Sequence, residues 1–167
     1  MKKIYFIIFV LIISCNKHEN IEIRKPFEVN HNLTPDVLFD RGYERIWGED
    51  VELFGKRIND VNVYYQIDLY ESDRDIKDKK DYLKTFREKG IISFKNYQKE
   101  MTEKEYETFK DSISRLDLKI IDIEYEKGEY FKDMFKVINL KTKDTFNCSL
   151  TNDNDKLLFE SHITIKK

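Results

Sequence analysis

Glycine is scarce in this chain of 167 residues, with only five, and the chain also holds two prolines, one tryptophan, two cysteines and three histidines. Each shortage removes a class of chemistry. So few glycines build neither a P-loop nor a dinucleotide-binding fingerprint, because both need closely spaced glycines where backbone meets phosphate. The histidines, His18, His31 and His162, lack the paired spacing of a zinc site, and the two cysteines form no thiolate cluster. No serine sits in a Gly-x-Ser-x-Gly nucleophile elbow. Thirty basic residues stand against thirty-two acidic ones, giving a formal net charge of −2. The charges are interspersed, so there is no basic patch to hold nucleic acid and no electrostatic reason to bind an anionic lipid surface. Aromatics, by contrast, make up 14% of the chain, ample for a packed core and against disorder.

The first fifteen residues stand apart. Lys2 and Lys3 precede an uninterrupted apolar run from Ile4 to Ile13, followed by Ser14 and Cys15. Ten apolar residues are too few to cross a bilayer, which takes roughly twenty in a helix, and a charged start before a short apolar run is the secretory pattern. The segment resembles the precursor of a bacterial lipoprotein, with Ile12-Ile13-Ser14-Cys15 as its lipobox. The resemblance covers residues 1–15 alone. It implies cleavage after Ser14, a diacylglyceryl thioether on Cys15, and acylation of the new amino group. Two or more acyl chains anchor stably where one does not. It further implies a place in the cell envelope, on the periplasmic or surface side of a membrane. Asn16 rather than Asp follows the cysteine, so the enterobacterial inner-membrane retention signal is absent. An acylated Cys15 leaves Cys148 without a disulfide partner.

Residues 1–14 therefore read as a signal peptide, 15–32 as a polar, flexible tether containing Pro26, and 33–167 as one globular domain. Thr34-Pro35-Asp36 suits the start of a short helix. Val51–Phe54 and Val61–Leu69 form a hairpin through Ile58-Asn59-Asp60, with Val61, Val63, Tyr65, Ile67 and Leu69 on one face. Ser72–Lys89 is helical in pattern, with Ile76, Leu83 and Phe86 inward and Gly90 beyond its end. Ile91–Phe94 suits a short strand. Thr102 and Glu105 make a capping box, Met101 and Tyr106 a hydrophobic staple, and Tyr106, Phe109, Ile113 and Leu116 the inward stripe of a second helix. Four strands follow, roughly Leu118–Glu126, Asp133–Leu140, Thr145–Thr151 and Lys156–Ile165, with Ile121, Ile123 and Tyr125 expected on one face and Asp122, Glu124 and Glu126 on the other. The expectation is an α+β fold, mainly antiparallel sheet, built from an N-terminal hairpin and a C-terminal four-strand meander with two helices on one face.

Candidate chemistry is thin. His162 shares a strand face with Leu158, Glu160 and Thr164 and reads as an ordinary strand residue, since a catalytic base needs partners in reach. Ser149 stands beside Cys148, which falls in an alternating strand and reads as a small buried hydrophobe. Asp122 and Glu124 are separated by two strand steps, a spacing that could suit a glycosidase-like pair. Asn152-Asp153-Asn154-Asp155 suggests calcium but lacks the glycine and distal glutamate of an EF-hand. Trp47, flanked by Tyr43 and Gly48, suits either core or surface. The clearest surface signal is Tyr64, Gln66 and Tyr70 on the polar face of one strand, a pattern that suits recognition. No cofactor and no metal are expected. The expected function is a membrane-anchored envelope lipoprotein with a non-enzymatic domain that binds a protein or glycan. The alternatives are a carboxylate-dependent hydrolase of saccharide or peptidoglycan using Asp122 and Glu124, and a protective, immunity-type lipoprotein.

Overall fold

The computed structural model describes residues 25–46, 52–70, 79–125, 128, 130–153 and 156–165, with backbone alone for 79–82 and 153. Alternating apolar residues give eight strands: β1 Glu44–Ile46, β2 Leu53–Ile58, β3 Val61–Asp68, β4 Ile91–Met101, β5 Leu118–Asp122, β6 Phe131–Asn139, β7 Thr145–Asp153 and β8 Lys156–Thr164. Three helices join them, α1 Pro35–Asp40, α2 Lys79–Lys89 and α3 Glu103–Ile113, together with a 3-10 turn at Lys25–Phe27. The strands form one antiparallel sheet in the order β1-β2-β3-β4-β8-β7-β6-β5. Its halves share a plan: a helix (α1 or α3), then four strands pairing in sequence, with the two fourth strands meeting at the centre.

The mainly antiparallel character is as expected, but the arrangement differs. The hairpin and the meander are not separate units, because β4 runs for eleven residues and joins β3 to β8. Among the described residues three α-helices rather than two accompany the sheet. The β2–β3 turn falls at Asn59-Asp60, with Asn59 in the left-handed region at φ 58°, where asparagine is tolerated. The capping box of α3 is complete: Glu105 donates its N–H to the Thr102 hydroxyl, and the Glu105 carboxylate accepts from the Thr102 N–H at 2.8 Å. Met101 and Tyr106 are both buried in one cluster, as the staple requires.

The apolar face of the sheet carries the helices. Phe135, Val137, Phe146, Cys148, Leu150, Phe159 and Ile163 pack with Tyr106 and Ile113 of α3, while Phe54, Ile67 and Ile92 pack with Leu38 of α1 and Phe86 of α2. Gly90 follows α2 tightly, since a Cβ there would lie 2.4 Å from the Phe86 carbonyl oxygen. Leu83, expected inward, is exposed; Ile76 lies outside the described residues.

Two further expectations need correction. The packed domain starts before residue 33: Pro26 and Phe27 are buried, and four successive carbonyls of this strap are held by side chains. Lys95 Nζ donates to the carbonyls of Lys25 (3.0 Å) and Glu28 (2.5 Å), Ser161 Oγ to that of Pro26 (3.1 Å), and Asn139 Nδ2 to that of Phe27 (3.1 Å). Backbone buried outside a helix or sheet must find such partners. The second correction concerns β5. Leu118 and Ile120 face the core and Ile121 is exposed, because Ile120 pairs with the buried Val137. The strand ends at Asp122; beyond it Ile123 and Tyr125 are half-buried and Glu124 is exposed, outside any strand.

Candidate functional site

Among the described residues, no helix packs on the face opposite α1, α2 and α3 along the middle of the sheet. Register places Tyr64 (β3), Asn96 (β4), His162 (β8) and Asn147 (β7) in one row across four strands, a span of about 15 Å at the usual strand spacing. Gln66, Phe94 and Thr164 form the row on one side, and Asn62, Gln98, Glu160 and Ser149 the row on the other. These side chains are half-buried or exposed. Amides and rings thus alternate along the row: such groups offer directional hydrogen bonds and contact area with little conformational freedom to lose.

Several contacts hold the surface in place. Tyr64 and Ile46 cover Gly55, where a Cβ would stand 2.6 Å from the tyrosine Cδ1 and 2.2 Å from the isoleucine Cδ1. The absence of a side chain at Gly55 is what lets the Tyr64 ring settle across β2. Phe94 and His162 lie ring to ring, centroids 5.6 Å apart. Burial holds the His162 imidazole below its ordinary value, with Glu160 acting in the opposite sense. The ring on this surface is therefore biased to the neutral form. Gln66 donates to Asp68 at 2.8 Å, and Gln98 donates to Glu160. Asn96 Oδ1 is buried within the row and has no hydrogen-bond partner among the described residues.

Of the residues picked from sequence, Tyr64 and Gln66 stand together on this face, whereas Tyr70 lies beyond the end of β3 and is 66% exposed. Cys15, His18, Trp47 and Gly48 lie outside the described residues, as do Asn154 and Asp155 of the calcium candidate. His31 is in the strap rather than a tether, and its Nε2 meets Asp144 at 3.0 Å. Tyr43 is half-buried edge-on to Tyr65, with centroids 5.5 Å apart. Cys148 is buried and unpaired, its thiol pushed up to about 12 by burial, which makes it a core residue without nucleophilic character. Asp122 and Glu124 are both exposed at the sheet's edge, one in the strand and one past it, so the single strand face that motivated them as a pair is absent. Phe94, Asn96 and Gln98 were not anticipated, because the inward Lys95 and Lys99 between and beside them blur the alternation of β4.

Two clefts flank the sheet's ends. One, of about 330 Å³, lies between the strap and the β5–β6 end, at Phe27, Asn30, Leu118 and Asn139. The other, of about 730 Å³, lies between the start of α3 and the strand ends, at Met101, Tyr106, Asp133, Leu150 and Leu157. Glu103, Glu107 and Asp133 line it, and Asp133 is committed: it accepts from the Tyr106 hydroxyl and from Lys110 Nζ, both at 2.5 Å. Burial pushes the Tyr106 hydroxyl above its ordinary value, and its bond to Asp133 adds to that. This network ties α3 to β6 and assembles no acid–base pair. Among the described residues no group of three His, Cys, Asp or Glu could hold a metal.

Compared with protein families, curated proteins and solved structures, the chain finds no match.

Proposed function

We propose that this protein is an envelope lipoprotein, anchored through acylated Cys15, whose domain binds a protein or glycan partner on its open sheet face without catalysing a reaction. The observation that carries the binding role is the row Tyr64–Asn96–His162–Asn147, a run of half-buried or exposed amides and rings across four central strands. The anchoring role rests on the leader: Lys2 and Lys3, the apolar run and the Ser14–Cys15 junction. No helix among the described residues is long and apolar enough to cross a membrane. A non-enzymatic role suits a molecule whose Asp133 carboxylate is locked in a structural network and whose thiol is buried.

The test is retention of envelope components on the immobilised domain, compared with the Tyr64→Ala/His162→Ala double variant. Loss of two central contact residues should weaken retention at least about tenfold, as removal of interface hot spots does. Equal retention by both forms would rule out this face, and no retention by either would rule out the binding role.

A further inference from the structure

The three rows around Tyr64 and His162 differ in composition from the chain as a whole, and the difference bears on what they bind. Charged residues make up 37% of the sequence, yet the eleven positions of these rows hold a single one, Glu160. Five of the others are asparagine or glutamine, three are rings and two are hydroxyls; none is aliphatic, lysine or arginine. Charged and apolar side chains resume at the margins. On β2, Arg57 pairs with Asn62 and Leu53 with Gln66; on β6, Lys136 pairs with Asn147 and Met134 with Ser149. The centre is therefore a neutral polar strip inside a mixed border.

A protein partner is met by the reverse pattern, an apolar centre rich in aromatic, methionine and arginine side chains with a polar rim. A glycan presents hydroxyls that both donate and accept, on rings whose faces are C–H bonds. Side-chain amides likewise donate and accept at one site, and Tyr64, Phe94 and His162 add planar apolar surface at little entropic cost. Charge separates neutral from acidic glycans. Glu160, which accepts from Gln98, would repel a carboxylate or phosphate, and the rows hold no lysine or arginine to pair with one. His162, held below its ordinary value by burial, adds no positive charge. Spacing fits as well: the row advances about 4.8 Å per strand, close to the advance per pyranose in an extended β-linked chain. We propose that the Tyr64–Asn96–His162–Asn147 row binds an uncharged, extended glycan lying across β3, β4, β8 and β7, with one sugar unit over each strand. This rests on the reading of the face as a binding surface, and it narrows the partner from protein or glycan to a neutral glycan.

The test passes an envelope extract, intact or protease-digested, over the immobilised full chain and analyses the sugars eluted. The expected result is retention that survives digestion of the extract and yields a glycan free of uronic acid and phosphate. Retention should hold from about 50 mM to about 500 mM sodium chloride, since screening acts only between charges. It should weaken at least about tenfold in Tyr64→Ala/His162→Ala. Asn147→Ala, at an exposed position that leaves the core intact, should weaken it at least about threefold, the loss of one hydrogen-bonding amide. Titration with sized oligomers of the eluted glycan should show affinity rising up to four units and level beyond. Retention abolished by protease, an acidic glycan, loss in high salt, or an Asn147→Ala variant that binds as wild type overturns the neutral glycan while leaving the binding role standing. Affinity that levels at one or two units overturns the lie of the glycan across four strands. No retention from the intact extract overturns the glycan and the binding role together.

Discussion

Replacing Phe27 by alanine is expected to lower the unfolding free energy by about 3–5 kcal/mol, the range for deleting a fully buried aromatic ring. Phe27 is 0% exposed, and its ring meets Phe109, Phe146 and Phe159 at centroid separations of 6.0, 5.8 and 6.4 Å. These partners belong to α3, β7 and β8, so the ring joins the helix layer to the sheet's centre. Its neighbours in the strap have carbonyls bound to Lys95 and Ser161, and a cavity beneath them would loosen those bonds as well. Were residues 15–32 a free tether throughout, the same change would cost less than about 0.5 kcal/mol. Urea denaturation of the chain from Asn16 onward separates the two outcomes.

Asp133→Ala should be the next largest loss, about 2–4 kcal/mol at neutral pH, because it strands two donors in a largely buried setting. The carboxylate is 22% exposed and accepts from Tyr106 and Lys110, whose ammonium also lies 4.6 Å from the Phe135 ring centroid. Burial alone would raise this carboxyl, but the hydrogen bonds from Lys110 and Tyr106 outweigh it and hold the group below the ordinary aspartate value of 3.8. A depressed folded value means the unfolded chain binds the proton more readily. The group's stabilisation is therefore complete above the ordinary value and is lost as pH falls through the lowered one. The gap between wild type and Asp133→Ala should accordingly stay level from pH 7 to about pH 5 and shrink below pH 4. A gap independent of pH down to pH 2 would assign the loss to packing alone.

How legible these features were in the sequence depended on what each inward position held. Where inward residues are apolar and outward ones polar, as in β3, β7 and β8, the period of two marks the strand. Helix α3 announces itself by Thr102 and Glu105, whose capping chemistry is local and needs no tertiary context. β4 was legible only over Ile91–Phe94 because Lys95 and Lys99 occupy inward positions beyond it. The reason for Lys95 lies far away in sequence: it is buried beneath the strap to satisfy the Lys25 and Glu28 carbonyls, its ammonium pushed down to about 8 by that burial while Glu28 opposes the shift. The strap hid for the reciprocal reason, since Phe27 is a lone aromatic in a polar stretch and only the side chains of β4, β6 and β8 explain its fixed backbone. In β5 two adjacent isoleucines made the phase ambiguous, and pairing with Val137 decided it. The candidate site inherits these limits. Tyr64 and Gln66 were visible from their own strand, whereas the row they belong to appears only when β4 and β8 are brought alongside.

The central claim, that the open face is the binding surface, is tested most directly by photocrosslinking in living cells. A photoreactive phenylalanine analogue is placed at Tyr64 on the open face, and at Lys104, exposed on α3, in a second strain. The account predicts a discrete adduct to an envelope protein or glycan from position 64 and none of the same mass from position 104. An adduct of that mass from position 104 alone, or of equal yield from both, would contradict it.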